Sequence, residues 1–374
     1  MLKAFKYQIY PTHKQRTLLQ HNLDECRWLY NHLLEQRKNA WESDKTSLNY
    51  HSQAITIPKL KHERRSLNDV HSQVLQNVAV RVDLAFKAFF RRVKAGEKAG
   101  YPRFKGYGWY DSITFPQVPV GCYIKDGKLK IAKIGEVKII LHRPLAGKIK
   151  TCTIRRNNGK WFACFSSEVE ARLLTQVNKA IGIDVGLEVF ATMSDGSKIE
   201  NPKFFRQDEK DLAGAQRKLS KAEKGSKERV KRRKAVVKIH ERIRNRRSNF
   251  AHQHSDKIIK AYDTICVEDL SVNQMVHNHC LAKSISDVAW GQFFNYLSYK
   301  AESAGRKLVK VNPAYTSQTC SGCGHRVPKS LDTRVHSCPC CGLSIDRDLN
   351  ASRNILALGL QSLGIQPVEA VCFS

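Results

Sequence analysis

Two pairs of closely spaced cysteines constrain what the C-terminal part of this chain can fold into. Cys320 and Cys323 form one Cys-x-x-Cys pair, Cys338 and Cys341 form another, and a glycine directly follows each pair. Four thiolates at this spacing bind one zinc ion tetrahedrally, and each glycine permits the tight turn beneath its pair. Because four protein ligands leave no open position on the metal, the spacing predicts a closed structural site, a zinc ribbon over residues 318–345.

The distribution of the remaining cysteines favours a metal site over disulfides. Of the twelve cysteines, five lie between positions 320 and 341 and seven are scattered singly. This distribution is typical of a reducing compartment. Cys340 is the odd cysteine of the second pair, and it could replace Cys341 as a ligand only if the two-residue spacing were broken. A redox-active dithiol is the alternative interpretation of the pairs.

Charge indicates a polyanionic partner. The 374 residues contain 64 Lys and Arg against 34 Asp and Glu, a net charge of +30, which exceeds what solubility requires and favours RNA, DNA or both. The alternative is a merely basic surface. The chain has no run of eighteen apolar residues, and its start lacks the apolar core of a signal peptide. We therefore expect a soluble protein of the cytoplasm with no membrane partner.

Much of the positive charge lies in residues 206–249, where the pattern is helical and apolar positions are sparse. Such a run is often only a solvated helix face. Here basic residues recur around more than one helical face, so we expect contacts to phosphates. The candidates are Arg232, Arg233, Arg242 and Arg246.

Hydrophobic periodicity divides the chain into a β-part with a helical insertion and an α/β part. Residues 2–10 alternate as a strand and precede an amphipathic helix, and a helical pattern continues from about 53 to 95. Short β-type runs with Asp-Gly and Asn-Gly turns then predict an antiparallel sheet or barrel that includes the N-terminal strand. From Ala180 onward strands and helices alternate, which predicts an α/β unit.

Two acidic residues lie on apolar strands of the α/β part. Asp184 interrupts an apolar strand between Gly182 and Gly186, where we expect a ligand or a nucleic-acid backbone to come close. Glu268 closes a second apolar strand, and Asp269 follows it on the opposite face. The alternatives are an exposed strand position for Asp184 and helix-capping roles for Glu268 and Asp269.

A third acidic position opens the last helix, directly after the second cysteine pair. Asp346 suits the N-cap and Asp348 lies in the first helical turn, so we expect one to cap and the other, Asp348, to bind metal. Together with Asp184 and Glu268 this makes a constellation suited to two-metal phosphodiester hydrolysis. Two Mg²⁺ ions roughly 4 Å apart would activate water and stabilise the leaving 3′ oxygen.

These residues and their order resemble a known family, the TnpB proteins of bacterial insertion sequences, which are small RNA-guided nucleases related to type V CRISPR effectors. The resemblance covers nearly the whole chain. It is carried by GIDVG with Asp184, VEDL with Glu268, SISDVAWGQF, NPAYTSQTCSGCG, CPCCG, and DRDLNASRNI with Asp348.

The resemblance implies a multi-domain fold of α/β plus β type. Its parts are a wedge-like β-domain with an inserted helical recognition domain, and a split RuvC nuclease domain of RNase H-like fold interrupted by the zinc ribbon. The expected segments are the wedge at 1–48 and 106–178, the recognition domain at 49–105, the RuvC domain at 179–317 and 346–374, and the ribbon at 318–345.

The resemblance also implies function. It assigns Mg²⁺ to Asp184, Glu268 and Asp348, zinc to the four cysteines, and reading of a short motif on the DNA to segments that here contain Tyr50, Gln76 and Gln117. The expected partners are a guide RNA transcribed from the element's own end and double-stranded target DNA, with no obligatory protein partner, at the nucleoid of a bacterial or archaeal cell. The alternatives are a nuclease-inactive, RNA-guided DNA-binding repressor and a DNA transposase.

Overall fold

The computed structural model describes residues 1–278, 280–330 and 333–365, which divide into two compact units, Met1–Glu170 and Ala171–Ser374. The last predicted segment, 346–374, therefore lies outside the described residues from position 366 onward. Each unit has its own hydrophobic core.

The first unit is built on one antiparallel sheet of seven strands. In chain order they are β1 (Leu2–Tyr10), β2 (Ser112–Phe115), β3 (Cys122–Lys125), β4 (Lys128–Ile131), β5 (Gly135–Ile139), β6 (Lys148–Asn157) and β7 (Lys160–Glu168). Their spatial order is β2-β6-β7-β1-β5-β4-β3. The N-terminal strand lies between β7 and β5, which confirms the prediction that it belongs to this sheet, and the helices between β1 and β2 are an insertion in the sheet.

The insertion consists of four α-helices and one short 3-10 helix. They are α1 (His13–Asp44), α2 (Tyr50–Ala54), α3 (Ile57–Glu63), the 3-10 helix Arg65–Asp69 and α4 (Ser72–Lys94). Thr12 caps α1 through a capping box with Gln15, as expected for a helix that opens after Pro11. Helices α1 and α4 bury leucine, valine and phenylalanine side chains in the core they share with the sheet.

The second unit contains a mixed sheet of five strands. They are β8 (Ala180–Val185), β9 (Val189–Met193), β10 (Lys198–Glu200), β11 (Thr264–Glu268) and β12 (Lys307–Val311), in the spatial order β10-β9-β8-β11-β12. Strands β8, β11 and β12 are parallel, whereas β9 and β10 are antiparallel to their neighbours. The strands alternate with helices, so the predicted α/β character is confirmed.

Helices of the second unit cover this sheet, and a two-stranded ribbon carries the second cysteine pair. The helices are α5 (Phe204–Ser220), α6 (Lys227–Ala261), α7 (Val272–Met275), α8 (Ala282–Val288), α9 (Trp290–Ala304) and α10 (Arg347–Ser362), and the ribbon strands are β13 (Val335–Ser337) and β14 (Ser344–Asp346). Helices α8 and α9 follow each other with one residue between them. The break is at Ala289, whose φ is 57°.

Helix α10 lies directly on the strand that carries Asp184. A side chain on Gly182 would overlap the carbonyl oxygen of Ser352 in α10, and a side chain on Gly359 would come within 2.8 Å of Cys266 in β11. Two glycines therefore let the helix approach β8 and β11 closely. On the Gly182 side the expected space for a ligand or a nucleic-acid backbone is filled by helix α10, whereas approach at Asp184 itself stays a prediction.

Candidate metal centres

The four predicted zinc cysteines come together. The Sγ atoms of Cys320, Cys323, Cys338 and Cys341 all lie within 4.8 Å of one another. Two of the distances, Cys320 to Cys341 and Cys323 to Cys338, are 3.6 Å. Zn–S bonds of about 2.3 Å in a tetrahedron place sulfur atoms about 3.8 Å apart, so the observed set fits a zinc ion. Cys340 is exposed and does not belong to the cluster.

The backbone of the two cysteine pairs is built alike. The N–H of Gly324 donates to the carbonyl of Cys320, and the N–H of Gly342 donates to that of Cys338. Both glycines have a φ of 75°, a conformation that residues with a Cβ rarely adopt. Backbone N–H groups, first that of Cys341, lower the pKa of Cys338 to about 6. These N–H groups thus favour the thiolate of Cys338, the form that binds metal, whereas the pKa of Cys323 is raised to about 12 because neighbouring thiols hydrogen-bond to it.

The acidic candidates lie at the carboxyl ends of parallel strands. Strands β8 and β11 pair in register from Ala180 with Thr264 to Ile183 with Val267, so Asp184 and Glu268 follow at adjacent strand ends. Helix α10 packs on β8 with Asp348 in its first turn. Because a rigid backbone carries each residue, the three side chains are directed to one edge of the sheet.

Electrostatics show that the three carboxylates share one environment. Loss of solvent raises the pKa of Asp184 well above its usual range, and the charges of Glu268 and Asp348 raise it further. Burial also raises the pKa of Glu268. The three carboxylates are more widely spaced than the four thiols. In the described part of the chain, only the four cysteines have all their ligand atoms within 4.8 Å of one another.

Asp346 takes the capping role that the sequence suggests for it. The Asp346 side chain caps α10 by accepting hydrogen bonds from the N–H groups of Asp348 and Leu349, at 2.9 and 3.0 Å. It also forms an ion pair with Lys198 at 3.0 Å. Its capping role is confirmed, and the charge of Asp348 is among those that raise the pKa of Asp184. The metal-binding role of Asp348 stays a prediction.

Two residues near the acids escaped the sequence analysis. Thr316 donates its hydroxyl hydrogen to Glu268 Oε1 at 2.6 Å, and Arg347 contacts Asp348 Oδ1 at 2.9 Å. Arg347 also lowers the pKa of Asp184, although burial outweighs this effect. Thr316 lies in the motif NPAYTSQTC, so the motif pointed to it without giving its partner. Asp269, by contrast, is exposed and pairs with Lys310.

The predicted DNA-reading residues lie in the first unit. Gln76 is exposed on α4, and Gln117 follows β2. The Oε1 of Gln117 accepts a hydrogen bond of 2.7 Å from Gln73, which lies one helical turn from Gln76. Tyr50 begins α2 and packs partly against the core of this unit. The structure thus places Gln76 and Gln117 on one surface and does not bring Tyr50 to it by any described contact.

Three of the four predicted phosphate-binding arginines have acidic partners within the second unit. Arg242 binds the buried Asp208 of α5 at 2.6 Å, and Arg246 lies 3.5 Å from the same carboxylate. Arg232 pairs with Glu228 at 2.6 Å. Arg233 is exposed, and no ion pair to it is seen among the described residues. Arg242 and Arg246 therefore have a structural role that joins α5 to α6, and phosphate binding by all four stays a prediction.

A helix that spans a membrane has to be long and apolar. None of the helices within residues 1–278, 280–330 and 333–365 is both long enough and apolar enough to cross a bilayer.

Three family descriptions match successive parts of the sequence. Residues 1–46 match a helix-turn-helix domain, residues 164–279 match a probable transposase of the OrfB IS605 type, and residues 290–355 match a Cas12f1-like TNB domain. The first of these regions is the strand β1 followed by the single long helix α1.

Relatives span nearly the whole chain. A putative RNA-guided DNA endonuclease of Streptomyces pristinaespiralis is 35% identical over 98% of this chain and 92% of its own length. The putative RNA-guided DNA endonuclease InsQ of Escherichia coli strain K12 is 30% identical over 96% and 92%. Among solved structures, a Cas12f1–sgRNA–target DNA complex shares the fold with a TM-score of 0.60, at 14% identity over 95% of this chain and 98% of that one. The chain therefore belongs to the TnpB family of RNA-guided DNA endonucleases, which is related to Cas12f1.

Proposed function

We propose that this chain cuts target DNA beside a short adjacent motif, at a position chosen by a guide RNA, and that Asp184, Glu268 and Asp348 form the cutting site. The observation that carries the proposal is the placement of Asp184 and Glu268 at adjacent strand ends, beside the helix that carries Asp348, in a chain with a net charge of +30. The charges of Glu268 and Asp348 raise the pKa of Asp184, and such crowding is unfavourable by itself. A site that binds cations accounts for their placement.

The donor set fits magnesium. Mg²⁺ prefers carboxylate oxygen ligands, and a site for two ions roughly 4 Å apart needs a wider spread of acids than a closed single-ion site. Bound Mg²⁺ would activate a water molecule and stabilise the leaving oxygen of the phosphodiester. Asp184 and Glu268 would hold the ions from strand ends, and Asp348 would do so from α10.

Neighbouring side chains orient these carboxylates. Thr316 occupies Oε1 of Glu268, and Arg347 occupies Oδ1 of Asp348. These contacts engage one oxygen of each carboxylate, and no hydrogen bond to the second oxygen is seen in the described part of the chain, so the second oxygen would be open to a cation. The guanidinium of Arg347 also offsets part of the negative charge around Asp184.

We infer the following organisation from family membership and the fold. Residues 1–48 and 106–178 form the wedge-like domain, and residues 49–105 form the helical recognition domain. Residues 179–317 and 346–374 form a split RuvC domain of RNase H-like fold, and residues 318–345 form the zinc ribbon. The mixed sheet with acids at its parallel strand ends supports the RuvC assignment, and the four-thiol cluster supports the ribbon.

The partners follow from the same reasoning. The guide RNA would come from the element's own end and pair with target DNA, while the protein reads the adjacent motif with a surface that includes Gln76 and Gln117. The basic face of α6, with Arg233, would contact phosphates. We place this activity at the nucleoid.

A cleavage experiment tests the proposal. The protein is purified with the RNA transcribed from its element and mixed with Mg²⁺ and a plasmid library that carries the matching target beside randomised flanking sequence. We expect linear product from plasmids that share one short motif. A library that stays uncut at every flanking sequence would overturn the proposal.

Two other candidates give different products. A nuclease-inactive repressor would bind the target without cutting it, but the three acids are all present and meet at one edge. A strand-transfer transposase, the activity that the description of residues 164–279 names, would join DNA ends. Joined products from the purified protein would favour it.

A further inference from the structure

One loop connects the nuclease sheet to the first cysteine pair. It leaves β12 after Val311 and reaches Cys320. Within it Thr316 is 5% exposed, and its hydroxyl lies 2.6 Å from Glu268 Oε1 and 3.2 Å from the carbonyl oxygen of Pro313. The hydroxyl has one hydrogen to donate. A distance of 2.6 Å is that of a charge-assisted O–H···O⁻ bond, so the hydrogen is donated to Glu268.

Helix α10 holds this loop from the other side. The side-chain amide of Asn354 donates to the carbonyl oxygens of Thr316 and Thr319, at 2.8 and 2.6 Å. Asn350 donates to Thr319 at 2.7 Å and accepts from the N–H of Ser321, within the cysteine pair, at 2.9 Å. Both asparagines are buried, and both amide hydrogens of Asn354 are used. Two turns of one helix therefore hold the backbone of this loop, and Asn354 holds it at Thr316 itself.

Glu268 needs such a contact because its side chain is long. The strand end fixes the Cα of Glu268, but the rotatable bonds beyond it leave the carboxylate free to turn. Among the described residues, the Thr316 hydroxyl is the only side-chain hydrogen-bond donor seen on this carboxylate. The bond engages one carboxylate oxygen, and no side-chain donor to the other is seen among the described residues.

We propose that Thr316 is a positioning residue, which holds the Glu268 carboxylate in the orientation that binds the catalytic cation. This inference rests on the proposed function, in which Glu268 is a metal ligand. Hydrogen bonds of this kind behind a metal ligand change metal affinity or activity by roughly 10- to 100-fold when they are removed. Helix α10 thereby supplies one ligand, Asp348, and through Asn354 also steadies the orientation of another.

The test compares four variants for Mn²⁺ binding and for cleavage. Thr316→Ala and Thr316→Ser both lack the methyl group, and only the alanine lacks the hydroxyl. Thr316→Val keeps the shape without the hydroxyl, and Ser317→Ala removes a hydroxyl from the neighbouring position. Mn²⁺ binding to the RNA-free protein is measured by electron paramagnetic resonance, with Asp184→Asn as the blank. Melting temperature reports folding.

We expect Thr316→Ala and Thr316→Val to weaken Mn²⁺ binding and to raise the Mg²⁺ concentration for half-maximal cleavage, each roughly 10- to 100-fold. Thr316→Ser and Ser317→Ala should match the wild type in both. Should the valine variant fail to fold, the comparison of alanine with serine decides. If the wild type cleaves DNA but Thr316→Ala and Thr316→Ser bind Mn²⁺ with equal affinity, the inference is overturned. A wild type that neither binds Mn²⁺ nor cuts would instead overturn the proposed function.

Discussion

Replacing Gly182 by alanine tests how closely α10 is seated on the strand that carries Asp184. The added methyl group would overlap the carbonyl oxygen of Ser352 and would lie 2.7 Å from the backbone nitrogen of Leu356. Ordinary contacts of such a carbon begin at 3.4 Å. Since both obstacles are backbone atoms, no rotation of a side chain relieves them, and the helix has to retreat by roughly 1 Å.

The size of the effect follows from this overlap. Overpacking of a core costs about 1–3 kcal/mol, and a backbone obstacle puts this substitution at about 3 kcal/mol. For a unit of the size of Ala171–Ser374 this lowers the melting temperature by roughly 6–12 °C. The same retreat moves Asp348 away from Asp184, and a misplacement of about 1 Å costs on the order of 100-fold in rate.

Thermal melting and single-turnover cleavage at saturating Mg²⁺ measure the two effects. Gly214→Ala is the matched control, because Gly214 lies in α5 with nothing within 4 Å of the added carbon. It should melt at or above the wild-type temperature, since alanine is the better helix former. A Gly182→Ala variant that melts and cuts like the wild type would refute the close packing and its link to Asp348.

Three further predictions concern charge, zinc and the basic helices. In the metal-free protein, burial and the neighbouring carboxylates raise the pKa of Asp184. The folded protein therefore binds this proton more tightly than the unfolded chain, whose Asp pKa is about 3.9. As the pH rises above that value, the stability that the bound proton contributes is lost. Asp184→Asn should therefore melt higher than the wild type at neutral pH and nearly equally near pH ~4, and equal melting across the pH series would contradict the crowding of charge. Cys338→Ser should lose zinc, as measured by metal analysis, and should melt at a lower temperature. Cys340→Ser should keep both the zinc content and the melting temperature of the wild type, because Cys340 lies outside the cluster. Zinc retained in both variants would contradict the ligand set. Arg242→Gln should lower the melting temperature, because it removes the closest partner of the buried Asp208 carboxylate in α5. Arg233→Gln should leave the melting temperature unchanged and should reduce the salt dependence of RNA binding. A lower melting temperature in Arg233→Gln, together with a change only in salt dependence in Arg242→Gln, would contradict these assignments.

Local chemistry explains what the sequence predicts well. Asn158 and Gly159 have φ values of 51° and 75°, the conformation of a two-residue hairpin turn, and this turn joins β6 to β7. Cys-x-x-Cys spacing likewise fixes each half of the thiol cluster within one turn. Asp346 caps the helix that it begins. In each case the partners are neighbours in the sequence, so residue type and spacing suffice.

Contacts between distant segments explain the rest. The neighbour of Gly182 is α10, some 170 residues later in the sequence, and no local pattern says that a helix fills the space a ligand was expected to take. Arg242 looks like a phosphate contact until Asp208 is found on the adjacent helix. Thr316 acquires a role only when the loop brings it to Glu268. Pairing across elements, and not residue type, decides these functions.

A retargeting experiment tests most directly whether an RNA-addressed site at Asp184, Glu268 and Asp348 makes the cut. The segment of the guide RNA that pairs with DNA is exchanged, and plasmids matching the old and new sequences are offered to the wild type and to Asp184→Ala with Mg²⁺. We predict that wild-type cleavage moves to the new plasmid, while Asp184→Ala binds that plasmid equally well and leaves it intact. Cleavage that ignores the guide, or that persists in Asp184→Ala, would contradict the account.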